Sequence, residues 1–170
     1  MLFRSGIGST AHLAGELFKT MAGVDMLHVP YKGGLPAITD LLGGQVSIYF
    51  PVLPSVVQLT KAGRLRLIAV TGSKRTAAMP DTPTVAETGL PGFEAINWFG
   101  IMAPAGLPPE IVTRLNAELH KVLQAPDVKE RLSGLAYDLQ PSTPQEFATL
   151  LRNETEKWAK EVKASGARAD

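Results

Sequence analysis

Hydrophobic positions in this chain follow two periods that keep exchanging. The clearest case is residues 27–50. Leu27, His28 and Val29 form a short, largely apolar run that Pro30 ends. Tyr31, Lys32, Gly33 and Gly34 interrupt it. Pro36 then suits the first turn of a helix, where its missing N–H costs nothing. Ile38, Leu41 and Leu42 share one helical face, and Gly43 with Gly44 closes the helix. Val46, Ile48 and Phe50 alternate with Ser47 and Tyr49, which is the period of a strand. The unit reads as strand, glycine loop, helix, strand. A helix start behind a glycine loop presents free N–H groups and the positive end of a dipole, so it suits an anion.

The same alternation extends to both sides. Leu2 and Phe3 suit a strand end, and residues 5–10 form a loop in which Ser9 or Thr10 caps the next helix. Leu13, Ala14, Leu17, Phe18 and Met21 carry helical spacing, with Gly23 as its stop. Pro54 opens a further helix that ends near Gly63, and residues 65–70 predict a buried parallel strand. Strands alternating with helices imply a mainly parallel sheet with right-handed crossovers. Ligands of such sheets bind beyond the carboxyl ends of the strands. Both glycine loops should therefore share one sheet edge. Residues 72–92 are rich in Pro, Thr and Gly, with a capping box from Thr84 to Glu87. Residues 95–102 predict an interior strand, 104–109 a turn, and 137–139 a short strand. Helices are expected from Pro108 or Pro109, from Pro126, and from a second capping box at Thr143 and Glu146. Trp98 and Trp158 are expected in the core.

Composition narrows the classes. The 170 residues suffice for one sizeable domain or two small lobes. A net charge of +1 gives no basic field for nucleic acid or an anionic membrane. The absence of cysteine excludes disulfides and thiolate metal sites. No apolar run approaches the ~20 residues of a membrane span, so no membrane insertion is expected. Residues 1–4 are followed by no signal-peptide h-region.

Four motifs in order carry a resemblance: residues 5–18, 28–46, 80–92 and 104–108. They resemble the solute-binding receptors of tripartite tricarboxylate transporters, the Bug/TctC-like family, over residues 5–170. The resemblance implies a two-lobed, type II periplasmic-binding-protein-like α/β fold, with one lobe nearly complete and the other truncated. Residues 1–93 would be the second α/β ligand-binding lobe. Residues 94–170 would be the C-terminal part of the first lobe, a crossover strand plus helices, with a hinge near residues 90–92. Family receptors carry a secretion signal and a long N-terminal portion that are not seen here, so the chain looks like the C-terminal part of a receptor. A periplasmic location, a small carboxylate ligand and membrane transporter subunits as partners are implied in the same way, and no cofactor is.

Candidate ligand-binding residues are Ser5, Gly6, Gly8, Ser9, Thr10, Tyr31, Lys32, Gly33, Gly34 and Val52. From the residues alone, the 5–10 loop is a helix cap; the resemblance makes it a carboxylate cradle. In the second loop the Gly33 and Gly34 amides are expected to matter more than the Lys32 charge, with Tyr31 as a wall. Many family members have Asp-Asn where this chain has Pro51 and Val52, which removes a partner for a ligand amino or hydroxyl group. The histidines, at 12, 28 and 120, show no metal-ligand spacing. Ser9 and His12 lie three apart without an orienting acid or a nucleophile elbow, so His12 reads as a capping or packing residue. The leading reading is a non-enzymatic carboxylate-binding receptor. The alternatives are a small α/β enzyme acting on a phosphate or acyl ester, and a truncated remnant with no competent site.

Overall fold

The computed structural model describes residues 2–5 and 9–165. Gly6 and Gly8 lie outside the described residues, and of Ser5 only the backbone is described. Strand β1 (Leu2–Ser5) leads to helix α1 (Thr10–Ala22), β2 (Leu27–Pro30), α2 (Gly34–Leu42) and β3 (Ile48–Tyr49). The three strands form one parallel sheet in the order β2-β1-β3. Leu2 pairs with Leu27 and Ser5 with Pro30, while Phe3 pairs with Ile48. Because the pairing is parallel, the chain leaves β1, β2 and β3 at the same sheet edge. Of the two glycine loops expected to share an edge, residues 31–34 follow β2 there, and β1 ends beside β2, while residues 6–8 lie outside the described residues.

Local chemistry explains the boundaries. The Ser9 hydroxyl accepts the His12 backbone N–H at 3.3 Å, satisfying one of the orphan donors of α1. Gly23 takes the left-handed conformation with φ 64° and donates its N–H to the Lys19 carbonyl, which ends α1. A short 3-10 turn (Leu53–Ser55) precedes α3 (Val57–Lys61), so the expected helix from Pro54 is split at Val56. Helices α4 (Pro109–Gln124), α5 (Pro126–Gly134) and α6 (Pro144–Ser165) complete the chain. At the start of α6 the Thr143 N–H donates to the Glu146 carboxylate at 2.8 Å, and the Glu146 N–H donates to the Thr143 hydroxyl at 3.2 Å.

The core lies between α1 and the chain that follows α3. Ala14 and Leu17 of α1 pack with Val85, Phe93 and Ala95. Phe18, Phe50, Leu90 and Trp158 close around this cluster, so α6 returns to cover α1. Phe93 is the largest wholly buried side chain and meets Phe18 edge-on at 6.3 Å.

Three expected strands are not formed. Residues 65–70 supply only a parallel bridge between Val70 and Thr84, and Ile68 is exposed. Residues 95–102 run as coil, with Phe99, Ile101 and Met102 exposed. Residues 137–139 are also coil. Apolar patterning was present at each place, but a strand exists only where a neighbour takes its hydrogen bonds. The Thr84–Glu87 pair forms both capping-box bonds, at 2.6 and 3.1 Å, yet it closes a turn and no helix follows.

Candidate functional site

An open concavity of about 2840 Å³ reaches the carboxyl edge of the sheet and extends on to residues before β2 and β3. It exceeds the ~300–1,000 Å³ of an ordinary small-ligand pocket, so only part of it can be one ligand's site. Ser9 and Thr10 line it at the start of α1, Gly33 and Gly34 at the start of α2, and Val52 after β3. Tyr31 and Lys32 lie outside this lining.

The Tyr31 hydroxyl donates to the Asp40 carboxylate, which ties the loop to α2. Lys32 is exposed. Gly33 caps α2 with φ 119°, a conformation that side chains resist, and no side chain caps the helix in its place. Its backbone therefore leaves the first N–H groups of α2 open to a ligand.

Two further residues join these loops. The Thr10 hydroxyl donates to Asn97 Oδ1 at 3.2 Å, linking α1 to a segment 87 residues later. Tyr49, at the end of β3, sets its hydroxyl 3.2 Å from where a Cβ on Gly34 would lie. Burial pushes the Tyr49 phenol above its usual value, so it remains a donor. Asn97 sits among Ile96, Trp98 and Phe99. A lone amide in an apolar run was its only sequence signal. Tyr49 had no signal beyond its place in a strand.

His12 does not face this opening as a base would. Its ring is buried and stacks on His28, with centroids 3.9 Å apart and planes 11° from parallel. Burial first, and then the charge of His28, hold the His12 imidazole below its usual value. Glu16 pulls the other way, from 3.9 Å, and Lys19 adds to the lowering. Among the described residues no group of three or more His, Asp or Glu could hold a metal ion. Among them, too, no helix is long and apolar enough to cross a membrane.

The chain matches the model of the tripartite tricarboxylate transporter family receptor over residues 3–167. A UPF0065 protein from the tcbD-tcbE intergenic region of Pseudomonas sp. strain P51 is 43% identical over 157 residues, covering 92% of this chain and 47% of that protein. Protein BugT of Bordetella pertussis is 37% identical over 164 residues, 96% of this chain and 50% of BugT. The chain thus spans about half the length of these relatives. The R. palustris protein Rpa4515, solved with adipate, superposes with a TM-score of 0.86 at 38% identity, over 98% of this chain and 56% of that one.

Proposed function

The chain belongs to the tripartite tricarboxylate transporter receptor family, and we propose that it serves in the capture of a small carboxylate outside the cytoplasm, for delivery to the membrane subunits of a tripartite transporter. Its fold is the α/β fold of the periplasmic binding proteins of that family. The observation that carries the ligand class is the α2 start. Behind a glycine cap, the first helix N–H groups and the nearby Tyr49 hydroxyl stand together at the sheet edge, and these N–H and O–H groups are donors. The bound adipate of the similar R. palustris protein supports the same class.

The proposed ligand set is Ser5, Gly6, Gly8, Ser9, Thr10, Gly33, Gly34 and Val52, with Tyr31 and Lys32 at its margin. The role is binding, not turnover. The Ser9 hydroxyl serves as the α1 cap and the His12 ring is stacked on His28, an arrangement that does not favour a nucleophile with its base. Family members are binding and transport proteins.

Calorimetric titration with succinate, adipate and citrate, beside glucose as a neutral control, tests this reading. Saturable binding of at least one carboxylate and none of glucose is expected. Preferential glucose binding, or ester turnover that Ser9→Ala abolishes, would overturn it.

A further inference from the structure

We infer that this site selects an unsubstituted aliphatic dicarboxylate over its hydroxylated counterpart through the apolar wall at Val52, with Tyr49 holding one carboxylate. The inference rests on the carboxylate-binding reading above and names the ligand within that class.

The chain after β3 forms one wall of the concavity. Phe50, Pro51, Val52, Leu53 and Pro54 pass along it before Ser55. Five successive side chains there have no hydrogen-bonding group, and the two prolines also lack an N–H. The Ser55 hydroxyl would be the exception, but it turns back and donates to the Val52 carbonyl at 2.7 Å. That carbonyl also takes the Ser55 N–H at 3.0 Å. A ligand hydroxyl laid on this wall loses water and meets no side-chain partner, whereas a methylene meets Val52 and Phe50 at no such cost.

The polar groups stand at two separate places. One is the α2 start, with the Tyr49 hydroxyl beside Gly34. The Tyr49 hydroxyl has no hydrogen-bond partner among the described residues, unlike that of Tyr31, which is engaged by Asp40. The other is the α1 start, where Asn97 accepts from Thr10 through its carbonyl and keeps its two amide N–H groups for another acceptor. Donors at two separate helix starts and an apolar wall after β3 line the same concavity, a combination that suits two carboxylates joined by a bare carbon chain.

Two matched pairs test this on the whole chain by calorimetric titration: succinate against malate, and adipate against 2-hydroxyadipate. The unsubstituted member of each pair should bind about tenfold more tightly. Tyr49→Phe should weaken both members of a pair by about tenfold and leave their ratio unchanged. Val52→Asn should narrow the ratio. Far-UV circular dichroism checks the fold of each variant, and the native chain's ratios decide the question even if a variant fails to fold. Equal or tighter binding of the hydroxylated members overturns the inference while leaving the carboxylate reading in place. So does a Tyr49→Phe chain that stays folded and binds both members as tightly as the native chain does. Binding of glucose in preference to all four acids overturns both.

Discussion

Gly100 lies flat against the ring of Phe147. A Cβ at position 100 would come within 2.2 Å of Phe147 Cζ and 2.7 Å of Cε2. The same ring meets Trp98 edge-on at 5.5 Å and belongs to the first turns of α6. A coil segment and a helix 47 positions apart therefore share one contact that only glycine permits. Gly100→Ala should destabilise the chain by about 1–3 kcal/mol, the usual cost of overpacking. Adding Phe147→Leu should recover part of that loss, because the smaller side chain vacates the clash. Urea unfolding of the two single variants and the double variant measures the coupling. Strictly additive losses would show that the two positions do not press on each other.

The two residues of the α2 loop should behave differently in a carboxylate titration. Gly33 holds φ 119° at the helix start, whereas Lys32 is exposed and outside the concavity. Gly33→Val should abolish measurable binding and lower stability by about 1–2 kcal/mol, since a β-branched residue is strained there. Lys32→Ala should change affinity by less than about threefold, as expected of a screened surface charge. The reverse order would place the charge, and not the backbone amides, at the centre of recognition.

The stacked histidines make stability depend on pH. His12 has its folded-state value lowered, by burial first and by His28 next. The unfolded chain, with His near 6.5, therefore binds more protons than the folded one as the medium acidifies. Stability from this group is complete above about pH 6.5 and is lost as pH falls from there towards the lowered folded value. Denaturant midpoints between pH 7.5 and 5 should fall accordingly. His28→Phe retains a ring against His12 but removes its charge, so the decline should become shallower. An unchanged slope would assign the effect to burial alone.

What could be read from the residues was what neighbouring residues decide. The Ser9 cap, the Gly23 stop and the Thr143–Glu146 box each need only a few consecutive positions, and each formed. The shared sheet edge followed from strand–helix alternation. Residues 65–70 and 95–102 failed as strands because their patterning carries no information about a partner, and none of the β1–β3 sheet reaches them. The site shows the same limit. Tyr31 adjoins the glycine loop in sequence, yet Asp40 takes its hydroxyl, and Tyr49 arrives beside Gly34 through the β2-α2-β3 crossover. Asn97 reaches Thr10 only because the chain returns to α1 after Phe93, 87 residues on.

The last prediction concerns the surface. An accessible area of 11171 Å² stands against the roughly 8,100 Å² expected of a compact monomer of 18.2 kDa. The excess is of the size that obligate partners bury, ~2,000–5,000 Å². Exposed apolar side chains occur along the whole chain, Leu27, Leu35 and Ile68 among them, and the C-terminal part adds many. Neither α4 nor α5 has a buried residue, and Phe99 and Ile101 are each 73% exposed. We propose a division near residues 93 and 94 on this basis, with α6 as the element that ties the later part to α1 through Trp158. Hydrogen exchange should then be slow at β1, α1 and the Val70, Val85 and Ala95 amides, all of which are hydrogen-bonded beside the core. It should be fast through residues 96–103 and α4, where opening exposes little that is not already wet. Sedimentation velocity should show association that grows with concentration, because these exposed apolar side chains leave surface that a second copy can cover. Uniformly slow exchange in a chain that sediments as a monomer would mean that α4 and residues 96–103 pack on a core within their own chain, and the division at 93 would fall with it.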